Sequence, residues 1–120
     1  MKDVTLICQR TREAWLLDLG PTLVGRDPAC DVQVWAVEAS RRHCLIMVDE
    51  NEGITVSDLG SANGTSVNGW RIHGTLQLSS GDVITVAGVS YQCRIHDVAS
   101  EAETLRMAVE QHATLSARVA

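Results

Sequence analysis

Short apolar runs rich in Val, Ile, Leu and Thr recur from Val4 to His96, each closed by turn-forming residues and with no helical period between them. That rhythm fits many short strands joined by tight turns. The predicted strands cover residues 4–8, 14–19, 22–25, 32–35, 44–48, 54–58, 66–68, 75–78, 83–86 and 91–96. With 120 residues the chain is long enough for one compact domain that needs no metal or disulfide staple, and a second, catalytic domain does not fit. The expected fold is all-β, a sandwich of two packed, largely antiparallel sheets.

Two Asn-Gly pairs, Asn63-Gly64 and Asn68-Gly69, are suited to the positive φ angles of tight turns, and Ser80-Gly81-Asp82 reads as another turn. Because the two pairs lie so close together, the chain is expected to reverse twice and build a loop cluster at one end of the sandwich. The sandwich domain is expected over residues 1–97. Beyond it, over residues 98–120, the pattern changes. Ser100 and Glu103 have the spacing of a capping box, and Leu105, Ala108, Val109, His112, Leu115 and Val119 recur at helical intervals. An amphipathic C-terminal α-helix or linker is expected there, packing on the sandwich, leading into further chain, or serving self-association.

Charge narrows the class of partner. The net charge of −5 and a single lysine, Lys2, speak against a domain that tracks a nucleic-acid backbone. Positive charge is carried by arginine, and Arg26, Arg41 and Arg42 fall in predicted loops. No run approaches the roughly 20 apolar residues of a membrane span, and the start lacks the apolar core of a signal segment, so a cytoplasmic protein with no membrane partner is expected. Cys8, Cys30, Cys44 and Cys93 show no CxxC spacing, and three of them sit inside apolar strands, where a thiol behaves as a small hydrophobe. Neither metal nor cofactor is expected.

The chemistry concentrates in residues 25–69. Gly25-Arg26 closes a strand, Ser40-Arg41-Arg42-His43 precedes the next long one, and the run from Asp58 to Gly69 reads DLGSANGTSVNG. Loops that converge would bring together a guanidinium, a hydroxyl, a side-chain amide and backbone N–H groups. Such a set suits a phosphate monoester, whose roughly −1.5 to −2 charge and strong acceptor oxygens need charge-assisted donors in fixed geometry. Arginine serves better than lysine because its planar fork meets two oxygens at once.

The succession G-R, S-x-x-H, D-L-G-S-x-N-G-T-x-V-N-G, then G-D and a later Gly before the last strand resembles the forkhead-associated (FHA) domain across residues 4–96. The resemblance implies an FHA/SMAD-like β-sandwich that binds phosphothreonine peptides in Ser/Thr kinase signalling and is not an enzyme. It implies that Arg26 pairs with the phosphate, that Ser40 donates its hydroxyl, that Arg41 is a secondary phosphate contact, and that Asn63 bonds the peptide backbone. Gly25, His43 and Gly64 are implied to support the site, with His43 bracing the loops. Ala62 stands where the family commonly has Thr, which leaves only its backbone N–H for the phosphate. Ser66 stands where a larger apolar residue is usual. Ligand preference is implied to come from loops such as 49–53 and 70–74.

Rival readings are weaker on chemical grounds. A hydrolase would use Ser40, His43 and Asp58, but Ser40 lacks a nucleophile elbow. Residues six positions after the cysteines are not arginines, which removes a cysteine-dependent phosphatase, and the 60–65 loop has no P-loop lysine. His43 and Cys44 are adjacent on a strand and point apart, so they make a poor metal pair. The remaining alternative is a phosphate-independent FHA scaffold assembling a larger complex such as a secretion apparatus. A scaffold has no physical need for a converged anion site.

Overall fold

The computed structural model describes residues 2–50 and 53–97. Over these, the chain forms β1 (Lys2–Cys8), β2 (Ala14–Leu17), β3 (Gly20–Gly25), β4 (Val32–Gln33), β5 (Cys44–Asp49), β6 (Gly53–Asp58), β7 (Thr65–Val67), β8 (Trp70–Arg71), β9 (Thr75–Leu78), β10 (Val83–Val86) and β11 (Val89–Asp97). One sheet has the order β2-β1-β11-β10-β7-β8 and the other β4-β3-β5-β6-β9. Only the β3–β4 pair is parallel among these ladders. The all-β sandwich expected from the sequence is therefore the observed fold.

Alternation builds the core. In β5, Cys44, Ile46 and Val48 are buried, while Met47 and Asp49 face out. Leu6, Ile54, Val56, Ile84 and Val86 meet them from the other strands. Burying each such side chain contributes about 1.5–3 kcal/mol against conformational entropy. Among the described residues the buried polar side chains are Thr22, His43 and Thr65. Two of these three lie at the same end of the sandwich.

Register explains why. Val24 pairs with Cys44, and Cys44 pairs with Asp58, so the end of β3, the start of β5 and the end of β6 are level. The loops that follow β3, precede β5 and follow β6 therefore emerge at one end. The site residues expected from the sequence all sit in them or on their edges.

Three details differ from the sequence expectation. β2 stops at Leu17 instead of continuing to residue 19, because Gly20, at φ 99°, redirects the chain from one sheet into the other. β4 is two residues long, and Trp35 lies beyond it, exposed. β8 was not foreseen at all. The helix expected over residues 98–120, and self-association through it, lie outside the described residues. Among the described residues no helix is long and apolar enough to cross a membrane.

Candidate functional site

Gly25 sets the first contact. A Cβ on it would collide with the Arg41 backbone carbonyl, so only glycine lets the end of β3 lie against the 40–42 segment. Across that contact the Arg26 N–H donates to the Ser40 carbonyl at 2.9 Å and the Asp27 N–H to the Arg41 carbonyl at 3.2 Å. The Arg26 side chain is then steered by its Nε, which donates to the Ala39 carbonyl at 3.0 Å. Arg26 is exposed, which leaves its Nη groups available as donors. Cys30 adds a brace: its thiol donates to the Arg41 carbonyl at 3.1 Å.

His43 ties the loops together from beneath. It is fully buried, and its Nδ1 accepts from the Ser40 N–H at 3.0 Å. Nε2 therefore carries the proton and donates to the Gly64 carbonyl at 2.7 Å. One neutral imidazole thus links the Ser40 loop to the Gly64 turn.

The third loop is organised by Asp58. Its Oδ2 accepts from the N–H groups of Gly60 and Ser61, both at 3.0 Å, and its Oδ1 accepts from the hydroxyls of Ser61 and Thr65. Burial alone would push this carboxyl up. The hydrogen bonds from Ser61, Thr65 and Gly60 outweigh burial and hold it below its ordinary value. Ser61 Oγ in turn accepts from the Gly64 N–H at 2.9 Å. Sequence reading did not assign Asp58, Ser61 and Thr65 to this network, although an Asp with Gly and Ser two and three positions on is the signature of such a side-chain-capped turn.

On this frame the Ala62 N–H donates to Ser40 Oγ at 3.0 Å. The Ala62 N–H expected to reach a ligand directly is thus spent on orienting the serine, whose own proton remains to be donated outward. Asn63 is exposed, and its Nδ2 donates to the Glu38 carbonyl at 2.8 Å, which ties the second and third loops together and leaves Oδ1 and one N–H outward. Arg41 is exposed and lines, with Arg26, Asp27 and Pro28, a shallow depression of about 240 Å³. Arg26 also borders a neighbouring apolar depression with Gln33, Val34, Trp35, Ala36 and Val37. Arg42 is exposed and outside both.

The geometry disposes of two rival chemistries. Both nitrogens of His43 are committed to backbone groups and Asp58 bonds Ser61 and Thr65, so Ser40, His43 and Asp58 do not form a relay. Cys44, next to His43 at the start of β5, is pushed up to about 12 by burial, with Asp58 adding to the rise, and stays a protonated thiol. What is left is a fixed surface of donors.

Comparison with known proteins agrees with this fold. A family model for the FHA domain matches residues 22–87. The chain belongs to the FHA domain family. It is 38% identical over 76 residues to the mouse proliferation marker protein Ki-67, covering 63% of this chain and 2% of Ki-67. It is 38% identical over 72 residues to the glycogen accumulation regulator GarA of Mycobacterium tuberculosis, covering 60% of this chain and 43% of GarA. The chain thus spans less than half the length of either relative. A solved FHA domain from a study of phosphothreonine-dependent interactions superposes with a TM-score of 0.75 at 30% identity, covering 80% of this chain and 99% of that one.

Proposed function

We propose that this domain, residues 1–97, binds a phosphothreonine-bearing segment of a partner protein downstream of a Ser/Thr kinase and catalyses no step itself. Arg26 meets the phosphate with its guanidinium fork, Arg41 adds charge from the facing side of the depression, and Ser40 donates its hydroxyl proton. Asn63 engages the peptide backbone. Gly25, His43 and Gly64 hold these groups in place, and Ala62 acts through Ser40. The observation that carries the reading is the Ser40 hydroxyl: it accepts from the Ala62 N–H, which leaves its own proton for a ligand, and the Ser40 carbonyl takes the Arg26 backbone N–H, which keeps the two residues together. A set of donors fixed before binding loses little entropy when an oxyanion arrives. Four free, buried cysteines fit a reducing compartment, and the domain is assigned to the cytoplasm on that ground.

The test is calorimetric titration with a phosphothreonine peptide and its unmodified twin. Arg26→Ala is expected to cost about 1.5–3 kcal/mol of binding free energy, the range for hydrogen bonds to charged groups, and Arg26→Lys to recover part of it. Wild-type binding weakens as pH falls through about 6, where the phosphate takes its second proton. Indifference to phosphate, to Arg26 and to pH would assign the domain to phosphate-independent scaffolding.

A further inference from the structure

The two sheets end on the same side of the sandwich without closing there. β8 is the last strand of one sheet and β9 the last of the other, and residues 72–74 join them directly. Residues opposite each other in an antiparallel ladder share a face. Trp70 lies opposite Val67 and Leu76 opposite Val56, and both valines are buried in the core. Trp70 and Leu76 are therefore on the core-facing sides of their sheets, yet Trp70 is 81% exposed and Leu76 40%. Among the described residues no further strand covers either edge. The sandwich is thus open along an apolar edge, with Trp70 on one lip and Leu76 on the other, the sheets being about 10 Å apart. An indole left bare on a core face marks a place for an apolar partner.

The chain's own continuation leaves from beside this edge. Ile95, near the end of β11, donates its N–H to Ser80 Oγ at 2.9 Å, and Ser80 follows closely on β9. From Ser80 to Leu76 is at most about 14 Å. From Ile95 to Leu105 the chain spans about 35 Å when extended, and still roughly 25 Å if the capping box at Ser100 starts a helix. Leu105, Ala108 and Val109 thus come within reach of the edge in either conformation. Their helical spacing gives a narrow apolar stripe, the shape that an opening between two strand edges accepts. Tethering favours this occupant further, because a segment on the same chain is held at a high effective concentration and outcompetes a second copy or a free partner of equal affinity.

We propose that residues 98–120 fold back on their own sandwich and cover the β8–β9 edge, setting Leu105, Ala108 and Val109 against Trp70 and Leu76. The edge is then an intramolecular docking surface, lateral to the phosphate-binding loops and independent of what those loops bind. Its occupation also closes two strand edges that would otherwise pair with other chains.

The test uses the full chain. Leu105→Asp combined with Val109→Asp puts charge on the stripe without touching the sandwich, and Trp70→Ala removes one lip at an exposed position. Amide hydrogen exchange is followed by mass spectrometry in wild type and in both variants. The aspartate pair should speed exchange of residues 70–78 roughly threefold to tenfold while leaving β1, β5 and β10 unchanged. Trp70→Ala should in turn speed exchange of residues 105–109 by a similar factor. Sedimentation and exchange at low and high protein concentration tell whose segment is bound. Protection that persists in the monomer supports the proposal, whereas protection lost on dilution, with a dimer at high concentration, gives the edge to a second copy and overturns it. Exchange at 70–78 that ignores the aspartate pair, exchange at 105–109 that ignores Trp70→Ala, or a change spread evenly over the sandwich overturns it as well.

Discussion

The two Asn-Gly pairs sit at opposite ends of β7 and have become different objects. Asn68-Gly69 has both residues at positive φ, 52° and 85°, and joins Val67 to Trp70 as a two-residue hairpin loop. The Asn68 side chain turns inward, donating to Asp82 and accepting from the Val83 N–H. At Asn63-Gly64 only the glycine has positive φ. The Asn63 amide is turned out to the Glu38 carbonyl, and the Gly64 peptide is held by His43 and Ser61. The dipeptide supplies the capacity to turn, but the neighbouring hydrogen-bond partners decide whether its side chain becomes framework or site.

The sharpest way to break that contrast is to remove the framework under the first pair. Asp58→Asn keeps the shape but loses the charge that accepts from Gly60, Ser61 and Thr65, and is expected to cost about 1.5–3 kcal/mol of stability at neutral pH. The sign with pH follows from the lowered folded-state value of the Asp58 carboxyl. Its stabilisation is fully present above the unfolded value, about 3.9, and is lost as pH falls through the lower folded value. The difference in unfolding free energy between wild type and variant should therefore be flat from pH 7 to 5 and close below about 4. Denaturant melts across that range check it, and a gap that persists undiminished at pH 3 removes Asp58 as the node of the loop.

How far the sequence announced all this differs between the two ends of β7. Strands with alternating burial, such as Cys44–Asp49 and Val83–Val86, were legible because an apolar residue at every second position has one way to face a core. Trp70–Arg71 was not, because two exposed residues carry no alternation, and the Arg71 guanidinium against Gly64 was hidden with it. The donors Arg26, Ser40 and Asn63 were readable as residue types through the family resemblance. Their coupling through the Ala62 N–H was not, since it depends on two loops meeting across 22 residues of sequence.

A crossed pair of substitutions measures the division of labour directly. Asn68→Ala forfeits two side-chain hydrogen bonds and puts alanine at positive φ, and should destabilise the fold by about 1–2 kcal/mol with unchanged phosphopeptide affinity in the folded protein. Asn63→Ala loses one exposed bond, so its stability should stay within about 0.5 kcal/mol of wild type while affinity falls about tenfold. Thermal melts and titrations of both variants suffice. If the two proved equal in either measurement, framework and site would not be separable at these positions.

The smallest effect concerns a third turn with the same backbone and a different sequence. Ala87 and Gly88 stand at φ 51° and 80° between Val86 and Val89, matching the conformation of Asn68-Gly69, yet no Asn marks the place. Alanine in the left-handed region meets its own backbone carbonyl, whereas Asn tolerates that region at lower cost. Ala87→Asn should therefore stabilise the domain by about 0.5 kcal/mol. Ala87→Gly should gain less, because the glycine also frees the unfolded chain. The side chain at 87 is half-buried against the core, so part of the gain from Asn is offset by covering a polar group. Melts of the two variants against wild type give the order, and a destabilised Ala87→Asn would show that packing at this position outweighs the backbone preference that makes Asn68-Gly69 a framework turn.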